Sequence, residues 1–304
     1  MLGESRSVPL QMLGVLRVHG RDAVSFLQGQ VSNDITRLRA DHALLAGYHN
    51  PQGRVIALMR LLQLAADDLL AILPRELVTP VAQRLAKFVL RSKVKLGDES
   101  GQWAISGLIG SASATAVPAG LPQVVNGVTV DAVGAPAATL AVCVAQRPAR
   151  WLLVSPASDA AARSGDSQDW ERLAIAAGEP EVYAATSEAF VAQMLNLDAL
   201  DAIAFDKGCY TGQEIIARAH YRGRVKRRMQ RFLTTEADVA GLGVGHSGVL
   251  ADGRTFRVVR AASHADKRCE FLAVTADRDR GTTPTGATAL VSAQELELPY
   301  SVPD

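Results

Sequence analysis

One cysteine stands out in the segment FDKGCYTGQEIIAR, where Cys209 lies between a lysine–glycine pair and a tyrosine. Most isolated cysteines are inert, small hydrophobic residues of a protein core. Here Lys207 lies two residues before the cysteine, and TGQEIIAR predicts a helix that begins just after it. Because an ammonium group and a helix N-terminus both stabilise a thiolate, the segment predicts a reactive thiol, with a buried inert sulfur as the alternative.

The other residues that could do chemistry exclude several classes of site. The three cysteines, Cys143, Cys209 and Cys269, include no C-x-x-C pair, so we predict neither a disulfide framework nor a metal site. None of the six histidines has H-x-x-x-H or H-E-x-x-H spacing, and no P-loop or G-x-S-x-G motif occurs. GVGHSG, residues 243–248, matches G-x-G-x-x-G but lies between β-like runs, which indicates a turn.

A basic run follows the cysteine segment. Its members are Arg218, Arg222, Arg224, Lys226, Arg227, Arg228 and Arg231. The run is either a solvated face or a patch for phosphate, for a polyanionic cofactor tail or for RNA, with His220 and Tyr221 as aromatic surface beside it. Since the formal net charge is only +1 and aromatic residues make up 5%, any such field is local and a broad base-stacking platform is not expected.

Composition and hydropathy predict the class of protein. The 304 residues are 48% hydrophobic and 21% charged, which is typical of a globular chain with a large core. The apolar stretch RVIALMRLLQLAADDLLAIL is interrupted by Arg60, Asp67 and Asp68, and the N-terminus has no signal-peptide pattern. We therefore expect a cytoplasmic protein with no membrane partner.

The elements before the cysteine predict mixed α and β structure. Residues 43–64 read as a hairpin about the NPQGR turn. RELVTPVAQRLAKFVLRSKVKL predicts a helix with Val81, Leu85, Phe88 and Val89 on its buried face, followed by a short strand at Lys93–Leu96.

The rest of the chain predicts a second helix and then a C-terminal β structure. SQDWERLAIAAGEP predicts a helix capped by Ser167 that places Trp170 on its apolar stripe. From Met229 onward, short apolar runs between polar turns predict a small antiparallel barrel. Because strands and helices do not alternate strictly, the fold class is α+β.

The longest motif of the chain resembles that of a known protein family. NLDALDAIAFDKGCYTGQEIIARAHYRGRVKRR resembles the signature of the YgfZ family, which are folate-binding proteins connected with iron–sulfur protein maturation and, through it, tRNA modification. VSFLQGQVSNDIT, HNPQGRVIALMRL and WERLAIAAGEP are similar to other segments of that family. The resemblance covers most of residues 10–232, and the family is similar in fold to the T protein, the aminomethyltransferase of the glycine cleavage system.

The resemblance implies a fold, a cofactor and a set of site residues. The fold is three-lobed and aminomethyltransferase-like, with residues 1–230 as a folate-binding region of two interleaved α+β lobes around a central cavity and residues 231–304 as an antiparallel β-barrel. Cys209 is the key reactive residue. Tetrahydrofolate is implied as cofactor, with cavity residues Trp170, Lys207, Gly208, Tyr210, Gly212, Gln213, Glu214 and Arg218. For Trp170, core packing is the alternative interpretation.

Three departures from the T protein and its relatives limit what the resemblance implies. The T protein carries a catalytic acidic pair where this chain has Ala57 and Leu58, so glycine-cleavage aminomethyl transfer is not expected. Ala176 replaces a glutamate that holds the pterin, and an alanine cannot accept the pterin's N–H donors. Leu13 replaces an aromatic residue near the folate. The changes at Ala176 and Leu13 predict weakened folate binding, with another carboxylate in place of the glutamate as the alternative.

Three hypotheses of function follow. The first is a folate-binding factor that uses Cys209 for sulfur, iron or redox chemistry in iron–sulfur cluster assembly or repair, with iron–sulfur client or assembly proteins as partners. The second is a folate-dependent one-carbon transferase acting on an unidentified amine, with Glu214 or Asp34 as the carboxylate. The third hypothesis, ranked last, is an RNA-binding module in which the basic run binds tRNA directly.

Overall fold

A computed structural model describes residues 5–110, 119–131, 138–159, 166–223, 225–234, 242–264, 266, 268–276 and 290–303. The four α-helices of these residues are Ala23–Gln28 (α1), Arg75–Val89 (α2), Ser167–Ala176 (α3) and Gln213–Tyr221 (α4). Short 3-10 helices span Ile35–Arg37, Ala157–Asp159 and Ala192–Leu195. No helix in the described part of the chain combines the length and apolar character needed to cross a membrane.

Sixteen strands are described. In chain order they are Arg6–Pro9 (β1), Leu13–His19 (β2), Leu44–His49 (β3), Val55–Ala65 (β4), Asp68–Pro74 (β5), Lys95–Asp98 (β6), Trp103–Ile109 (β7), Val128–Val130 (β8), Leu140–Gln146 (β9), Ala149–Pro156 (β10), Arg227–Thr234 (β11), Ser247–Leu250 (β12), Thr255–Ser263 (β13), Cys269–Ala276 (β14), Leu290–Val291 (β15) and Ala293–Leu296 (β16). The hairpin predicted for residues 43–64 is present as β3 and β4.

The chain forms two compact units. The first unit contains Met1–Tyr48, Ala57–Trp170 and Asp206–Tyr210, and the second contains His49–Ile56, Glu171–Phe205 and Thr211–Asp304. The domain boundary predicted at residue 230 stays a prediction.

The first unit holds two five-stranded sheets. One has the order β1-β7-β10-β9-β8, and the other has the order β3-β4-β5-β2-β6. Every pair in the first of these sheets is antiparallel, as are the β4–β5, β5–β2 and β2–β6 pairs of the second. Antiparallel sheets joined by few helices are typical of α+β proteins.

The second unit holds the sheet that the C-terminal pattern predicts. Its order is β15-β12-β13-β14-β11-β16, antiparallel except for the β12–β15 pair. Phe271 lies at its core, with its ring centroid 5.3 Å from that of Phe232 and 5.7 Å from that of Phe256. Residues 243–246 form the turn predicted for GVGHSG, and β12 begins directly after it at Ser247.

Two details of the predicted helices were wrong. Phe88, predicted on the buried face of α2, is 48% exposed, because the buried face is made by Leu77, Val78, Val81 and Leu85. Periodicity identifies the face of a helix but not how far along it the covering layer extends.

The second detail is the cap of α3. Ser167 is its first helical residue rather than its cap. The Asp166 carboxylate before it accepts a hydrogen bond from the Gln168 N–H at 2.9 Å, which is the contact of an N-cap residue.

Trp170 packs on the backbone of the first unit. It is 6% exposed, and its ring lies against Gly107 of β7, where an added Cβ would be 2.5 Å from Cζ3 and 2.8 Å from Cδ2 of the indole. The guanidinium carbon of buried Arg150 lies 5.0 Å from the ring centroid. Glycine at position 107 therefore lets the indole lie flat on the sheet.

We expect Gly107→Ala to lower the free energy of unfolding by about 1–3 kcal/mol, because the methyl group overpacks the space that the indole fills. The measurement is the urea midpoint of unfolding. Gly97→Ala in β6 is the matched control, since its Cβ would have Glu99 Cγ at 4.0 Å as its nearest neighbour. Equal midpoints for the two variants would contradict this packing.

Candidate functional site

Cys209 is the exposed thiol of the chain. Cys143 and Cys269 are buried, whereas Cys209 lies in a solvent-exposed loop. Cys143 belongs to the apolar core beside Trp151, and burial raises the pKa of the Cys269 thiol. Two of the three cysteines therefore behave as small hydrophobic residues, and the inert-core alternative does not apply to Cys209.

Lys207 anchors the loop that carries this thiol. Its Nζ donates hydrogen bonds to the backbone oxygens of Gln28, Val31 and Asn33, each at 2.7 Å. An ammonium group has three donors, so all three are directed at main chain within the first unit rather than at the sulfur. Its charge still lies two residues from the cysteine, but its main contacts hold the loop in place.

The protonation of this anchor reflects two opposing effects. Burial lowers the pKa of Lys207 to about 8, and the nearby negative charge of Asp34 raises it. Three carbonyl oxygens also favour the ammonium form, because each accepts a charge-assisted hydrogen bond from it. At neutral pH the anchor is therefore a cation.

The loop that receives Lys207 is itself fixed to β3. Ser32 and Asn33 are buried; the Ser32 hydroxyl accepts from the Gly47 N–H at 2.9 Å, and the Asn33 amide donates to the Leu45 carbonyl at 2.8 Å. These residues were not predicted as part of the site. The available signal was the resemblance of VSFLQGQVSNDIT to the N-terminal helix segment of the family, which gives no role for its individual residues.

Asp34 is held as a structural carboxylate. Its Oδ1 accepts from the backbone N–H and the hydroxyl of Thr36 and from the Gln28 amide, at 3.1, 2.7 and 2.9 Å. These hydrogen bonds, that of the Thr36 hydroxyl first, lower the pKa of the Asp34 carboxyl despite its partial burial. A carboxylate that stays ionised is a poor general acid.

Tyr210 forms the buried end of the anchored segment. The Lys207 Nζ lies 5.1 Å from its ring centroid, within the range of a cation–π contact. Burial raises the pKa of the Tyr210 hydroxyl to about 12, so the phenol stays neutral at physiological pH. Gly208, by contrast, is exposed, and a Cβ there would meet no atom within 4 Å. Space is therefore left open beside Cys209.

The rest of the motif lies in the second unit, against the NPQGR turn. Gly212 has φ +83°, and an added Cβ would lie 2.5 Å from the Asn50 carbonyl oxygen and 3.0 Å from Gly53 Cα. The turn is closed by the Asn50 side chain, whose Oδ1 accepts from the N–H groups of Gln52 and Arg54, each at 3.0 Å. Only glycine combines that φ with so close a backbone approach.

The predicted helix is present as α4, but it begins directly after this glycine, two residues later than the Thr211 start of the predicted segment, so Cys209 lies four residues before its first residue. Gln213 is its first residue, and Glu214 is exposed in its first turn, where a carboxylate is favourable to the helix dipole. The buried Gln193 amide donates to the Ile216 carbonyl at 2.7 Å and holds the helix in the second unit. Arg218 is exposed on the last turn.

Trp170 and Ala176 are the remaining positions that bear on the prediction of folate binding. Trp170 is buried on the sheet of the first unit, in line with its core-packing alternative, and a contact with folate stays a prediction. Ala176, the last residue of α3, is half-buried and presents only a methyl group. Glu171, on the same helix, forms a bidentate ion pair with Arg260 at 2.9 and 3.0 Å. Neither supplies an available carboxylate for a pterin.

The acidic pair of the T protein has no counterpart at the expected place. Ala57 and Leu58 are buried within β4. Among the described residues, no group of three or more His, Cys, Asp or Glu side chains could hold a metal ion.

The basic run divides into two groups. Arg228 is buried and forms a bidentate ion pair with Asp198 at 2.9 and 3.0 Å, and Arg231 pairs with Glu270 at 2.5 Å. Four other members, Arg218, Arg222, Lys226 and Arg227, are exposed, and Arg224 lies outside the described residues. The solvated-face alternative is therefore wrong for Arg228, which is structural.

We expect Lys207→Met to lower the free energy of unfolding by roughly 3 kcal/mol, because it leaves three carbonyls without their charged donor. Hydrogen exchange should also speed up in residues 28–34 and 206–210. Lys207→Arg should restore only part of the loss, since a guanidinium cannot direct three donors from one atom. The control is exposed Lys226→Met; urea midpoints that are the same for both methionine variants would refute the anchor.

Comparison with known proteins identifies relatives of this chain. No family model matches it. The tRNA-modifying protein YgfZ of Yersinia pseudotuberculosis is 33% identical over 74% of this chain and 71% of its own length. The protein of that name from Serratia proteamaculans is 32% identical over 73% and 69%.

A solved structure gives the fold. The glycine cleavage aminomethyltransferase T of Bartonella henselae aligns with a TM-score of 0.62 over 90% of this chain and 78% of its own, at 11% sequence identity. The predicted α+β fold of aminomethyltransferase type is thereby confirmed. At identities above 30% over more than two thirds of both chains, the Yersinia and Serratia relatives show that this chain belongs to the YgfZ family.

Proposed function

We propose that this protein is a folate-binding factor that acts in tRNA modification, through a role of the Cys209 thiol in iron–sulfur cluster assembly or repair. The observation that carries the proposal is the exposed Cys209 on a loop that Lys207 fixes with three hydrogen bonds. The names of the Yersinia and Serratia relatives support the connection with tRNA modification.

The chemistry of a single exposed thiol limits what Cys209 can do. A thiolate offers one sulfur, which can occupy one position on an iron or form one bond to another sulfur. A cluster needs several thiolates, so the others would come from a client protein, an assembly protein or a second subunit. This favours transient contact with iron–sulfur partners over a resident cluster.

The folate part of the proposal depends on the fold. The aminomethyltransferase-like fold is consistent with a bound tetrahydrofolate, but the pterin glutamate of related proteins is Ala176 here, and Glu171 is paired with Arg260. The residues at this place do not supply the contact expected for the pterin. No step of the proposed function is therefore assigned to folate, and its binding is expected to be weak.

A one-carbon transferase is the alternative, and two observations count against it. Asp34 is held ionised by Thr36 and Gln28, and β4 carries Ala57 and Leu58 where a catalytic acidic pair would lie. Exposed Glu214 is the remaining candidate carboxylate, and it lies at a helix N-terminus that favours its ionised form.

In a bacterial strain that lacks its own YgfZ-family protein, we expect the wild-type chain to restore tRNA modification and Cys209→Ala to abolish the rescue. Because Cys209 is exposed, its replacement should leave the urea midpoint unchanged, which separates loss of chemistry from loss of folding. Asp206→Asn, an exposed change in the same loop, is the control. Full rescue by Cys209→Ala would remove the thiol from the function.

For tetrahydrofolate, we expect Ala176→Glu to tighten binding about 10-fold, because a carboxylate would accept the pterin's N–H donors. The measurement is the quenching of tryptophan fluorescence on titration. Ala177→Glu, a neighbouring half-buried position, is the matched control and should not tighten binding. If neither the wild type nor Ala176→Glu binds at millimolar tetrahydrofolate, the folate assignment is overturned.

A further inference from the structure

Three aromatic rings cluster at the end of α4 in the second unit. The rings of Phe205 and His220 stack with centroids 3.8 Å apart and planes 15° apart. Tyr221 lies edge-on to both, with centroids 6.1 Å from Phe205 and 4.7 Å from His220. Tyr221 is nevertheless 67% exposed. We call these three residues the ring cluster; it holds one large aromatic side chain in a defined orientation at the surface.

Exposed cations surround the ring cluster in the sequence. Arg218, Arg222, Lys226 and Arg227 are all exposed, and none forms an ion pair with a carboxylate of the described residues. In the same run, Arg228 and Arg231 are used by Asp198 and Glu270. Among the described residues, the run therefore contains two cations that hold carboxylates and these four, which do not.

Helix geometry places one cation beside the ring. Tyr221 lies three residues after Arg218, so the two side chains lie on one side of the last turn of α4. Arg222 is the C-cap residue that directly follows Tyr221. A solvent-facing ring beside guanidinium groups offers two kinds of contact. The ring can stack on a nucleobase, and the cations can bind the phosphates on either side of it.

We propose that the ring cluster and these four cations bind single-stranded RNA. The rings decide between this ligand and an acidic protein, because a basic patch alone would suit either, whereas an exposed, oriented tyrosine suits an unstacked base. Duplex RNA is the poorer ligand, since its bases are stacked inside the helix. This inference goes beyond the function proposed for Cys209, which requires no direct contact between the chain and RNA.

The test is fluorescence anisotropy with the full chain, a labelled oligouridylate, an unmodified tRNA transcript, a duplex RNA and polyglutamate. We expect Tyr221→Ala to weaken oligouridylate binding roughly 10-fold, and Tyr221→Phe to retain most of the affinity because it keeps the ring. Arg218→Gln with Arg222→Gln should weaken binding and reduce the slope of log K against log salt by about 1.4, the value for two single-strand phosphate contacts.

A matched control is available at the end of another helix. Lys87→Gln with Arg91→Gln removes two exposed cations with the same spacing at the C-terminal end of α2, beside exposed Phe88. This pair should leave RNA binding unchanged. Equal losses from the two double variants, affinity for polyglutamate equal to that for RNA, or undiminished binding by Tyr221→Ala would each overturn the proposal.

The result of the RNA-binding test does not depend on the Cys209 thiol. Binding is measured without folate and without any client, so its failure would leave the proposed role of Cys209 standing. Loss of RNA binding by Tyr221→Ala with full binding by Cys209→Ala would show that the two sites act separately.

Discussion

The arrangement around Cys209 depends on one ammonium group. Lys207 directs its three donors at the carbonyls of Gln28, Val31 and Asn33, and these belong to a loop that buried Ser32 and Asn33 fix to β3. The exposed thiol therefore lies in a loop with a rigid base, although a Cβ added at its neighbour Gly208 would meet no atom within 4 Å. Rigid support below an open sulfur suits a residue that must meet a partner in a defined orientation.

Charge is used in two different ways in the second unit. The buried arginines described there have carboxylate partners, as Arg228 has Asp198 and Arg260 has Glu171. Removing either partner would leave an uncompensated charge in a region of low dielectric, so such pairs constrain the packing of the sheet. Exposed Arg218, in the last turn of α4, and Arg222, directly after it, pair with none of the described carboxylates and contribute a local positive field on a chain of nearly zero net charge.

The local parts of this structure could be predicted from the sequence, and the long-range parts could not. The hairpin and α4 follow from the NPQGR turn and from the glycines that flank the motif, because turn chemistry acts within a few residues. The partners of Lys207 lie 174 to 179 residues away and are backbone oxygens, which carry no sequence signature. Likewise, nothing in a run of arginines distinguishes Arg228, paired with Asp198, from exposed Arg227. The overlap of Trp170 with Gly107 is of the same kind, since both residues look ordinary until the sheet brings them together.

The distribution of the cysteines has a practical consequence. Since Cys143 and Cys269 are enclosed in the cores of their own units, the native chain presents a single accessible thiol to the solvent. A spin label, a cross-linker or a mixed disulfide can therefore be placed at one position without first removing other thiols. Covalent capture at that position would retain whichever molecule docks there, in the geometry that the loop imposes.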